Sequence, residues 1–458
     1  MAGALGAMMA LGAWHAGGQA SASNAEELNR KFQEAVSAQE SGNFAQAEKI
    51  LRSMRAQNPG IFAIDESLGL ALVAQEKYSE ALPFLEAAVK EQADSDAAHA
   101  NLGAALFRLK QNKEAQAEFE IAAKLNSSNA ATQESLGRLW METKQPAKAA
   151  DAFAAAIRLD ATKTELLLDE AEALKEAGQL EQAAEAAKQF PGAEQSAQAQ
   201  ELLGEIAEKR GAYKDAALYL QHAAELDPSE ANVWTLSVEF LKHWTFDGAI
   251  TELEAAVVRF PQSKRMRLGL GAAYFGDGKY TKAVPVFADL LETDQNNKLY
   301  AELLGISCTV VMQETRPRCA ELLHYADSHP DDALAATYAA TTIIDSQSTD
   351  AQQAAARRWL TNAIHANPKL ADAHLQLAML DQNQAMWEES IPELQAALRL
   401  KPNLAKAHYR LSLALWRTGR KAEAATEMDL QKKYHQQEQD DLDKRLRQIT
   451  TFVVDVRK

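Results

Sequence analysis

One spacing governs this chain. A small residue recurs at Ala47, Ala81, Ala115, Ala149, Ala183, Ala216, Ala249 and Ala283, at intervals of 34, 34, 34, 34, 33, 33 and 34 residues. A chain built from copies of one short unit must stack them, because no copy is large enough to bury its own apolar face. Leu-Gly pairs stand twelve or thirteen residues before the small residue at Leu68-Gly69, Leu102-Gly103, Leu136-Gly137, Leu203-Gly204 and Leu270-Gly271. A large apolar residue follows it by four (Leu85, Phe119, Phe153, Leu220, Leu253, Phe287), and a small one by seven (Ala88, Ala122, Ala156, Ala223, Ala256). Spacings of three, four and seven lie on one face of a helix. Gly-containing or polar stretches separate two helices in each unit, and Pro59, Pro228 and Pro261 close several of them. Ala, Leu, Glu, Gln and Lys dominate the composition and only 12 prolines punctuate it, so the expectation is an all-α fold.

This order resembles the tetratricopeptide repeat, a 34-residue helix–turn–helix with small residues at positions 8, 20 and 27 and a large apolar one at 24. On that register units begin near Leu28, Phe62, Asp96, Ala130, Thr164, Ala197, Glu230 and Lys264. The next stretch departs from it. Leu304-Gly305 fits a first helix, but "QETRPR" lengthens the turn, and Cys319 takes the small-residue place 36 residues after Ala283. The following unit carries Ala356, Leu360, Ala363 and Pro368, comes 37 residues on, and has an irregular first helix. Two more return to register through Ala378, Leu394, Ala397 and Pro402, then Leu411, Gly419 and Ala424. The resemblance implies a right-handed superhelical solenoid of about twelve repeats over residues 23–433, irregular near 298–370. A polar capping helix and tail over 434–458 would cover its exposed end. Gly103 is expected to face Ala115 where the two helices of a unit come closest, with Leu106 and Phe119 filling the space beside that contact.

Residues 1–22 differ from the rest. No charged side chain occurs from Met1 to Gly18, and Ala20-Ser21-Ala22 supplies an A-x-A pattern, which reads as a secretory signal peptide. No Lys or Arg precedes the apolar run, so the alternative is a frayed N-terminal segment on a cytoplasmic protein. The run is too short and interrupted to span a bilayer comfortably, and no later stretch is long and apolar enough. A periplasmic or secreted protein is expected. With 48 basic and 64 acidic residues, the formal net charge of -16 repels nucleic-acid phosphates and anionic lipid, so neither is an expected partner.

Catalytic signatures are absent: no H-E-x-x-H, C-x-x-C-H, G-x-S-x-G or phosphate-binding loop occurs. The glycine-rich run "GLGAAYFGDGKYT" is explained by the repeat. His99, His374 and His408 each fall at position 4 of a first helix, where packing is the expected role, and no histidine cluster has metal-ligand spacing. No cofactor and no metal are therefore expected. Cys308 and Cys319, the two cysteines, fall on the paired helices of one irregular repeat. They are either a hairpin-stapling disulfide or two buried thiols.

The resemblance implies a groove lined by first-helix positions 2, 5, 6, 9, 12 and 13. Repeats five and six place there an acidic stretch that includes Glu165, Asp169, Glu172, Glu201, Glu205 and Glu208, together with Lys175. Repeats seven and eight supply Trp234, Arg265 and Phe275, and the last repeat supplies Lys406, Tyr409, Arg410, Trp416 and Arg417. Groove aromatics flanked by charge suit an extended peptide or a partner helix. The alternatives are an ordinary solvated face for the acidic stretch and packing under the C-terminal helix for Trp416. A carboxylate clamp of the chaperone-binding type is disfavoured, because Ala131 and Ser135 stand where basic residues are wanted. The expected function is a non-enzymatic scaffold holding a peptide or helix of a protein partner in the cell envelope. The alternative is a regulatory or recruiting subunit of an envelope enzyme complex in polysaccharide or outer-membrane assembly.

Overall fold

The computed structural model describes residues 22–311, 317–344 and 348–456, and the expected leader lies almost entirely outside them. Among the described residues there are 24 α-helices and no strand, and within each of two compact units each helix packs on its neighbour in sequence. The chain divides into two compact units, Met1–Ala212 and Tyr213–Lys458. In the first, α1 (Ala22–Glu40) packs on α2 (Phe44–Gln57), α3 (Phe62–Val73) on α4 (Tyr78–Glu91), and α5 (Asp96–Arg108) on α6 (Asn112–Leu125). α7 (Ala130–Glu142) pairs with α8 (Pro146–Leu159), α9 (Leu166–Glu176) with α10 (Leu180–Gln189), and α11 (Ala197–Lys209) ends the unit.

The second unit stacks α12 (Tyr213–Leu226), α13 (Glu230–Lys242), α14 (Phe246–Arg259), α15 (Lys264–Gly276) and α16 (Tyr280–Thr293) in order. It continues through α17 (Lys298–Cys308), α18 (Ala320–Ser328), α19 (Ala333–Ile343) and α20 (Asp350–Ala366). It ends with α21 (Ala371–Asn383), α22 (Trp387–Leu400), α23 (Ala405–Arg417) and α24 (Lys421–Val456). α24 runs unbroken, so the segment expected to cap the stack from Tyr434 onward continues the last repeat's second helix. The same helix also comes against α12, at the other end of the unit. No helix among the described residues is long and apolar enough to cross a membrane.

The repeat's first-helix glycines have one role in common. The side chain nearest Gly103 is that of Phe119: a Cβ at Gly103 would stand 2.9 Å from its ring. Gly69 with Leu85, Gly137 with Phe153 and Gly271 with Phe287 repeat the arrangement, always sixteen residues on. Each glycine is a seat for the large side chain of its own second helix, and Phe119, Phe153 and Phe287 are buried as a result.

The turn between paired helices is equally periodic. Five residues before the repeated small residue, the chain enters the left-handed region at Gly42, Glu76, Lys110, Lys144, Gly178, Gly211, Trp244, Gly278, Ala385 and Gly419. The next amide then bonds back to the carbonyl five residues earlier, as in Lys77 to Leu72 and Gln145 to Trp140. This ends the first helix and turns the chain into the second.

His99, His374 and His408 are buried, as packing residues would be, and each is also held at both ring nitrogens. Nδ1 lies 2.6, 2.6 and 2.5 Å from the carboxylates of Glu118, Glu393 and Glu427. Nε2 lies 3.2, 3.2 and 2.9 Å from the carbonyls of Ala93, Pro368 and Pro402. Three repeats thus share one polar clamp joining the start of a first helix to its second.

Candidate partner-binding surface

The acidic stretch in the first unit is tied into the stack. Lys175, on α9, is buried and reaches Glu172 at 2.7 Å and Glu205 of α11 in a second short pair. Desolvation opposes its charge, but the two carboxylates outweigh that and hold the ammonium's pKa above its ordinary value. Glu172 and Glu205 therefore compensate a buried cation between repeats five and six. Glu165 is exposed at the start of α9, whereas Asp169, Glu201 and Glu208 are half-buried. Desolvation pushes the Asp169 carboxyl up, Arg138 at 4.0 Å pulls it down, and Glu134, Glu165 and Glu172 reinforce the rise.

The aromatic stretch of repeats seven and eight is largely packing surface. Trp234 is half-buried against the apolar core, and a Cβ at Gly269 would meet it at 2.9 Å. Arg265 lies 5.9 Å over the Trp234 ring and bonds Glu230 at 2.6 Å, so its charge is already met. Phe275 packs on the same core and meets Tyr280 edge-on, with centroids 5.2 Å apart.

The last repeat differs from both. α23 buries Ala407, His408, Leu411, Ala414 and Leu415 on one side. On the other it aligns Lys406, Tyr409, Arg410, Trp416 and Arg417 at spacings of three, four, seven, ten and eleven, one stripe of the helix. Tyr409 is 47% exposed and Trp416 55%, so Trp416 does not pack beneath α24. Arg417 lies over two rings at once, 5.4 Å from Trp387 and 5.6 Å from Trp416. Lys406, Arg410 and Arg417 form no ion pair among the described residues. The Lys406 ammonium is pushed down, first by desolvation and then by Arg410, with Asp372 opposing. An anion placed beside Lys406 and Arg410 would relieve that repulsion.

The tetratricopeptide repeat model matches residues 32–98, 168–231, 239–298 and 375–430, more than half of the chain, and a second model of the same description matches 72–137. The chain belongs to the tetratricopeptide repeat family. It is similar to the C-terminal part of a tetratricopeptide repeat-containing protein from Cytophaga hutchinsonii, at 13% identity and a TM-score of 0.47, over 52% of this chain and 99% of that one. It is also similar to a chain of the Naa15/Naa10 complex bound to HypK-THB, at 17% identity and 0.39, over 88% and 68%. The peptide-binding tetratricopeptide protein YrrB is similar at 20% identity and 0.36, over 40% and 94%. No curated protein matches the chain. Tetratricopeptide repeats are stacked surfaces for holding other proteins, and this chain is such an interaction scaffold.

Within this tetratricopeptide stack, sequence reasoning placed Lys175 on the groove but missed its burial, because a lysine among glutamates looks like a solvated face. It also missed Trp387, whose ring shares Arg417 with Trp416 from the second helix of the preceding repeat. The repeat register locates Trp387 at the start of that helix but gives no sign of the contact.

Proposed function

We propose that this chain is a non-enzymatic scaffold whose last repeat anchors an acidic segment of a partner protein that also carries an aromatic or aliphatic side chain. The observation that carries this reading is the exposed stripe of α23, where two outward aromatics stand among three cations without ion-pair partners among the described residues. Aromatics and Arg are the side chains that most often supply the central energy of an interface, and an acidic partner would be steered to them. A groove formed before binding leaves the ordering cost mainly on the peptide. Export to the periplasm or beyond is part of the proposal. It is supported by the A-x-A pattern at Ala20–Ala22 and by the bond between Cys308 and Cys319, since cytosolic thiols are kept reduced.

The test is a fluorescence-anisotropy titration of the full chain with an end-blocked twelve-residue peptide of Glu, Asp and Phe, beside its Lys-for-acid counterpart. The acidic peptide is expected to bind and the basic one not, with affinity falling as salt rises. The variant Arg410→Glu/Trp416→Ala should weaken binding by at least about thirtyfold, a hot-spot-sized loss. Equal binding by the variant, or no binding of the acidic peptide, removes α23 as the anchor.

A further inference from the structure

Repeat nine is assembled unlike its neighbours. In regular repeats the first-helix glycine seats a residue sixteen positions on, from its own second helix. The same count from Gly305 leads to Glu321, yet the side chain over Gly305 is Tyr338 of α19, which a Cβ would meet at 2.6 Å. The seat of the second helix is thus occupied by the first helix of the next repeat, and α17 packs directly on α19. α18 is left with nine residues where α12, α14, α16 and α22 have fourteen, and it buries only Leu322, Tyr325 and Ala326.

α18 is held at both of its ends. At its C-terminal end Asp327 accepts from Trp359 Nε1 of α20 at 2.7 Å and pairs with Arg358, while the Tyr325 hydroxyl donates to Asp332 at 3.2 Å. At its N-terminal end the covalent bond joins Cys319, just before α18, to Cys308, the last residue of α17, with Cα atoms 6.1 Å apart. Arg318 adds a salt bridge to Asp289 on the surface of α16. Both cysteines are buried, with Cys319 at the place where regular repeats carry the small residue of the second helix.

We propose that the Cys308–Cys319 bond is a redox-controlled latch for α18: oxidised, it holds the helix on the stack, and reduced, it lets the helix undock while the stack stays joined through Gly305 and Tyr338. The chemistry balances with a dithiol. The reductant gives two electrons and two protons to the Sγ–Sγ bond, which becomes two thiols, and is itself oxidised to a disulfide. Undocking exposes Leu322 and Tyr325, an apolar surface that the oxidised form covers.

Hydrogen–deuterium exchange on the full chain, with and without dithiothreitol, tests this. Peptides covering 320–328 are expected to lose protection on the order of a hundredfold on reduction, the scale of closing a loop of this length. Peptides covering 298–308 and 333–343 should hold theirs. The variant Cys308→Ala/Cys319→Ala should resemble the reduced protein and ignore dithiothreitol, which separates the latch from any other effect of the reductant. Full protection of 320–328 after reduction and in the variant overturns the proposal. So does collapse of protection across the whole second unit, which would make the bond a global stabiliser. Alkylation of both cysteines in the untreated protein overturns it as well.

Discussion

At the scale of single residues, the left-handed position of the turn is where this sequence leaves stability unused. Glu76, Lys110, Lys144, Trp244 and Ala385 adopt φ between 56° and 62°, which Gly takes without a Cβ penalty, as Gly178 and Gly278 do in the same place. Glu76→Gly and Lys144→Gly should each stabilise by about 0.5–1 kcal/mol, the relief of strain less the entropy of a looser unfolded chain, read as a shift in urea midpoint at unchanged slope. A loss of stability on either change would mean that the side chain makes a contact worth more than the strain. The turn itself was legible at Gly178 and Gly278, where the residue announces the conformation. It was illegible at Glu76 and Lys144, because a charged residue between two helices carries no mark of φ. The seat of Phe119 was only partly legible for a related reason: spacing identifies Gly103 and Ala115 as small, but cannot say that the glycine is small on behalf of Phe119.

At the scale of helices, an ion pair between neighbouring hairpins ties stability to pH. Glu48 on α2 accepts from Lys77 at 2.8 Å and Gln75 at 3.0 Å, beyond the end of α3, and from Arg52 at 2.7 Å on its own helix. These contacts, led by Lys77, hold its carboxyl down at about 2, against an ordinary value of 4.5. A carboxyl lowered in the folded state stabilises fully above its unfolded value, and that contribution is lost as pH falls from about 4.5 to about 2. Glu48→Gln should therefore be less stable than the parent at neutral pH, and its stability should decline less steeply across that window. Urea midpoints at pH 7, 4 and 2.5 decide it, and parallel curves would show that Glu48 gains nothing from its partners. Such bridges are hard to read from sequence, since Glu48 and Lys77 lie 29 positions apart on charged surfaces. The exposed stripe of α23 was easier, because that helix is regular and its outward positions follow from the repeat register. What the register could not give was whether Trp416 stood free, which depends on the path of α24.

At the scale of the whole molecule, both units are stacks in which each hairpin touches chiefly its neighbours. Phe153→Ala should cost about 3–5 kcal/mol, and the loss of exchange protection should stay near α7 and α8, fading within a repeat or two. Loss across the whole first unit would show longer-range cooperativity than such a stack predicts. The architecture was legible because eight successive units keep one spacing. The exception at Gly305 was not, since a count that works four times with an apolar partner arrives there at Glu321. One contact sets the second unit apart. An open stack accumulates small angular errors toward its free end, and can gain or lose a hairpin without any other joint noticing. Because α24 comes back against α12, the joints between them must sum to one fixed total, so an inserted or deleted hairpin in this unit would have to break that contact.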